Sequence, residues 1–144
     1  MNSDQNTDLL EKCDSGIKMA AQSIEFTVPY CKDAELTGIL QKYSDRHTEL
    51  GRQSENMLKQ IGEQPQKTGA VGRAVLKMSS GMKLAADSSP ANIAEFMIDG
   101  CNMGVKNLSK YINQYPGADA KSLDFASSLI RLEQSFAEEL RKFL

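Results

Sequence analysis

The sequence predicts an all-α protein, an antiparallel four-helix bundle. Three observations carry that reading. Apolar residues recur at three- and four-residue steps through four long segments, one face of a helix each time. Cap residues, prolines and glycines punctuate the ends of those segments. No stretch alternates apolar and polar residues with period two, so no strand is expected.

The first helix is expected over about 7–28. Leu10, Cys13, Ile17, Ala20, Ala21, Ile24 and Val28 form its stripe, Asn6 or Thr7 is placed to cap it, and Pro29 ends it. The second is expected over about 33–61. Its stripe is Leu36, Ile39, Leu40, Tyr43, His47, Leu50, Ser54, Met57, Leu58 and Ile61, with Asp33 as cap and Gly62 as stop. The short "PYCK" link makes these two helices antiparallel neighbours. A crossover over 62–88 follows, with a weaker helix over about 70–86 that carries Val71, Val75, Met78 and Met82.

The third long helix is expected over about 89–114. Ser89 caps it and Pro90 takes the first helical position, where a missing N–H costs nothing. "YPGAD" breaks the chain, and the last helix runs over about 119–144 on Leu123, Ala126, Leu129, Ile130, Phe136, Ala137, Leu140 and Phe143. The whole chain, 1–144, reads as one domain long enough to bury a core without staples.

Composition narrows the function. Seventeen basic and 19 acidic residues leave a net charge of −2, so no global field attracts nucleic acid or an anionic membrane. There is no tryptophan to help stack bases. The N-terminus lacks a signal pattern, no apolar run reaches membrane-spanning length, and Cys13, Cys31 and Cys101 make no disulfide framework. A cytoplasmic protein is expected. No phosphate-binding glycine motif is present.

Four polar side chains fall on or beside apolar stripes: Cys13, His47, Cys101 and Glu133, one per long helix. A reversal near residue 30 or 31 places Cys13 level with His47. A second near residue 116 places Cys101 close to Glu133 in height. Two thiols, an imidazole and a carboxylate suit a tetrahedral metal site, with zinc or iron as the ion. The competing reading is packing: cysteines as small apolar groups, and a buried His47–Glu133 pair that fixes register. Cys13 beside His47 is also a formal nucleophile–base pair, and Cys31 is a loop thiol beside Lys32. On a helical wheel Gly100 and Gly104 join Met97, Cys101 and Leu108 on the inward face, which implies close packing or a small pocket. Met19 and Phe26 fall on the polar side of the first helix and suggest self-association.

The chain resembles ferritin-like proteins, and more closely the small bacterial bundles of that superfamily. "DAELTGILQKYSDRHTELG", the helical crossover and "DGCNMGVKNLSKYINQY" before "LIRLEQSFAEELRKFL" carry the likeness. The resemblance implies a bundle with its crossover between the second and third long helices. Di-iron members of the superfamily use a glutamate from each of two helices and Glu-x-x-His from the other two. Here the second helix has Ser44-x-x-His47 and the last Glu133-x-x-Phe136, while Cys13, Ile17, Gly100 and Cys101 stand at inward positions. Oxidase chemistry, surviving only as a vestige, is not expected. The expected function is a non-catalytic structural or protein-interaction module that forms a homodimer. The alternative is a metal-binding or redox protein with a degenerate ferritin-like core site.

Overall fold

The computed structural model describes residues 3–63, 84 and 86–144. Four long helices dominate: α1, Ser3–Thr27; α2, Ala34–Gln60; α3, Pro90–Gln114; and α4, Ala120–Leu140. Short 3-10 turns follow α1 at Val28–Tyr30 and α4 at Arg141–Phe143. There is no strand among the described residues. The expected crossover helix over about 70–86 lies almost wholly outside them.

The ends form as local chemistry dictates. Asp33, Ser89 and Asp119 have extended backbones, and each side chain accepts from the N–H three residues on, at Leu36, Asn92 and Ser122. Gly62 at φ +82 closes α2. Its N–H bonds to the Lys59 carbonyl at 3.0 Å, and the Glu63 N–H reaches the Leu58 carbonyl at 2.9 Å. These two hydrogen bonds, which the left-handed Gly62 permits, satisfy carbonyls a helix end leaves open.

α1 departs from expectation at its start. It begins four residues early, and Asn6 does not cap it. Instead the Asn6 side chain accepts from the Asp119 backbone N–H at 2.5 Å and donates to the Asp119 carboxylate at 3.1 Å. Gln5 accepts from the Gly117 N–H at 2.5 Å. The start of α1 thus seals the α3–α4 turn.

Those contacts fix the topology. Asn6 lies by Asp119, Lys12 over the Tyr111 ring, and Thr27 by Met97, so α1 and α3 are antiparallel. His47 meets Glu133 and Glu35 meets Lys142, so α2 and α4 are antiparallel too. With α1–α2 and α3–α4 as hairpins, α2 and α3 run parallel. The end of α2 and the start of α3 therefore lie toward opposite ends of the bundle, about 40 Å apart for helices of this length. Leu84 is buried in a cluster with Ile24, Leu36, Tyr43 and Ile93.

The core has two halves. One, at the α1–α2 turn, gathers Ile24, Leu36, Leu40, Tyr43, Ile93, Met97, Cys101, Phe136 and Leu140. The other gathers Leu9, Leu10, Cys13, Ile17, Leu58, Leu108, Phe125 and Leu129. No helix among the described residues is long and apolar enough to cross a membrane.

Candidate functional site

A buried histidine and a buried glutamate meet on the seam between α2 and α4. Mid-α2, His47 is fully buried and both its ring nitrogens are engaged. Nδ1 donates to the Tyr43 carbonyl at 2.6 Å, and Nε2 pairs with the Glu133 carboxylate. The carbonyl can only accept, so Nδ1 carries a proton, and opposite an ionised carboxylate Nε2 carries the second and the ring is cationic. Burial works against that charge. The Glu133 hydrogen bond and charge, with the Tyr43 carbonyl, outweigh it and hold His47 above its usual range.

Glu133 also receives the Cys101 thiol from α3. Burial, the Glu133 charge and that hydrogen bond push this thiol far up, so it stays a neutral donor. Gly104, one turn along α3, faces the same carboxyl: a β-carbon there would stand 3.6 Å from Glu133 Cγ. Phe136, three residues on in α4, stacks on Tyr43 with centroids 4.4 Å apart and presents its edge region to His47 at 6.3 Å. Above, the Tyr43 hydroxyl donates to Glu139, which also pairs with Lys42 at 2.6 Å.

The expected His47–Glu133 pair is thus present, and Cys101 joins it. Cys13 does not. Asp14 accepts from Ser54 at 2.6 Å and Gly51 packs on Ile17, so Cys13 is level with the Ser54 region of α2, about two turns from His47. The height estimate assumed a reversal centred at residue 30 or 31. In fact α2 starts beyond the end of α1, with residues 28–33 bridging upward, and the register slips. Cys13 packs instead among Leu9, Leu10, Ile17 and Leu58. Burial, then the Asp14 charge, push its thiol up to about 12. It is neither a ligand set with the other three nor a nucleophile beside His47. Among the described residues no three of His, Cys, Asp and Glu form a group able to hold a metal. A di-iron centre does not fit the seam, because its lone core carboxylate is committed to His47 and Cys101.

Gly100 is a second correction. It is exposed, with open space where a β-carbon would lie. It sits at the margin of the apolar arc of α3, next to the side carrying Met103, and having no side chain it leaves that margin open. Phe26, read as exposed, is half-buried against the core and 5.8 Å from the Tyr30 ring, whereas Met19 is 46% exposed. Cys31 is half-buried with its thiol toward the Asp33 carbonyl at 3.6 Å.

The sequence does not single out a buried carboxylate on α1. Asp14 is fully buried, bonded to Ser54 and to Lys18 at 2.9 Å, and Lys18 also reaches Glu55 at 3.2 Å. The available signal was Ser54, a small polar residue on the α2 stripe facing α1.

The seam opens outward below His47. Arg46, Glu49 and Leu50 of α2 and Ser128, Arg131, Leu132 and Ser135 of α4 line a shallow cleft of about 360 Å³. No known protein family, curated protein or solved structure matches the chain.

Proposed function

We propose that this chain is a non-catalytic, ferritin-like bundle that works as a structural or protein-interaction module, self-associating as a homodimer. One observation supports the reading above others: the groups that chemistry would need are committed to one another. Both His47 nitrogens and the Glu133 carboxylate are spent on partners within the seam. The two core thiols are held protonated, which removes their nucleophilic form. Such a buried ion pair contributes little net stability against an apolar substitute but specifies which helices meet and in which register. The parallel run of α2 and α3 favours the single long crossover of ferritin-like bundles. Met19 on α1 and Met103 on α3, 46% and 61% exposed, offer apolar surface for self-association.

The test joins light scattering after size exclusion with thermal melts in zinc, in ferrous iron and in chelator. The expected result is a dimer whose melting temperature is indifferent to all three. A strict monomer across a wide concentration range counts against self-association. Near-stoichiometric metal that raises the melting temperature by about 5–10 °C overturns the reading in favour of a metal protein. That gain should then vanish in His47→Ala and Cys101→Ala.

A further inference from the structure

The cleft on the α2–α4 seam has features that the His47–Glu133 pair does not use. Its walls carry two guanidinium groups, Arg46 and Arg131, both exposed. Neither forms an ion pair among the described residues. Arg46 lies over the Tyr43 ring at 5.1 Å, and Arg131 donates to the Ser128 hydroxyl at 3.2 Å. The carboxylates nearby are already neutralised. Glu49 on the rim is held by Arg52, and Glu139 chiefly by Lys42 and Tyr43, with Arg46 adding a weaker attraction at longer range. Leu50 and Leu132, both half-buried, line the cleft with the arginines. The result is a partly apolar cleft flanked by two guanidinium groups, neither of them in a direct ion pair among the described residues.

We propose that this cleft is a docking groove for an acidic amphipathic helix of a partner protein. The inference rests on the interaction-module reading and names the partner's chemistry. A helix laid along the seam seats apolar residues on Leu50 and Leu132, and its flanking carboxylates reach Arg46 and Arg131, whose planar forks match carboxylate geometry. The complementary charge sets the occupant. This chain's own crossover segment is the wrong sign: residues 64–83 hold Lys67, Arg73, Lys77 and Lys83 and no acidic residue. A neutral apolar segment offers the two guanidinium groups no carboxylate.

The experiment uses isotope-labelled full-length chain and two synthetic peptides of about 18 residues, long enough to hold a helix. One places leucines on one face and glutamates on the flanks; the other replaces every glutamate by lysine. The expected result is saturable binding of the acidic peptide, with amide shifts confined to Arg46, Leu50, Ser128, Arg131, Leu132 and Ser135. Salt weakens it, and the Arg46→Glu, Arg131→Glu double variant weakens it about tenfold or more. Arg46→Gln with Arg131→Gln, which keeps the stems, gives an intermediate loss and guards against misfolding. Equal binding of the lysine peptide, shifts elsewhere, or affinity unmoved by charge reversal overturns the proposal. So do groove shifts that grow with protein concentration and need no peptide, which would make a second copy the occupant. If the peptide fails while light scattering gives a dimer, the groove assignment falls and the module reading stands; if both fail, both fall.

Discussion

Removing the Glu133 carboxylate tests the seam most directly. Glu133 is 6% exposed and accepts from the fully buried His47. Glu133→Ala strips the imidazolium of its counter-charge and leaves Cys101 without its acceptor. Breaking one side of a buried pair costs about 3–5 kcal/mol. A domain of this size loses roughly 0.3 kcal/mol per degree at its midpoint, so the melting temperature should fall by about 10–15 °C. Glu133→Gln keeps an acceptor for Nε2 and should cost about 1–2 kcal/mol. Replacing both partners, His47→Leu with Glu133→Leu, should recover much of the loss, because no charge is then left stranded. Urea and thermal melts of wild type, His47→Leu, Glu133→Leu and the double variant form a double-mutant cycle. A Glu133→Ala cost below about 1 kcal/mol, or a double variant equal to the sum of the singles, would refute the reasoning. The pH profile gives a second reading of the same pair. His47 titrates higher folded than unfolded, so its contribution is full below its ordinary value of 6.5 and is lost as pH rises through the raised folded value. Wild-type stability should therefore decline on the alkaline side of 6.5, and Glu133→Gln should flatten that decline. The depressed carboxylates Glu139 and Asp119 act oppositely: their contribution is present above their ordinary values and is lost as pH falls through the lowered ones.

Three further outcomes are expected. Gly100→Ala should raise stability by about 0.5–1 kcal/mol in urea melts, since nothing lies within 4 Å of the added carbon, while Gly104→Leu should destabilise by pressing on Glu133; a loss in Gly100→Ala would mean the position is covered. Asp14→Ala should cost about 1–2 kcal/mol, less than Glu133→Ala, because Ser54 keeps its bond to the Gly51 carbonyl at 2.9 Å and Lys18 keeps Glu55; an equal loss would contradict that fallback. In the native protein Cys31 should react with a disulfide reagent well before Cys13 and Cys101, which open only with unfolding; simultaneous reaction of all three would show that the core breathes freely.

Much of the architecture was written locally. The caps at Asp33, Ser89 and Asp119 and the stop at Gly62 act within a few residues of themselves, through backbone groups that every helix end leaves unpaired. The apolar stripes and the inward direction of His47, Cys101 and Glu133 follow from helical periodicity, and the antiparallel hairpins from the short links. Direction on a wheel says nothing of reach or height, and the tertiary structure decided those. A reversal displaced by several residues separated Cys13 from His47, and a single such slip turns a four-donor set into a pair with one thiol beside it. Asn6 reads as a cap for its own helix but seals a turn more than a hundred residues away, because the hydrogen-bond partner is set by packing. Gly104 and Gly100 look alike on the wheel, yet one faces Glu133 and the other open space, a difference of position on the rim of the arc. The cleft beside Arg46 and Arg131 has no sequence signature at all: its walls come from two helices far apart in the chain, so it exists only once packing sets α2 against α4.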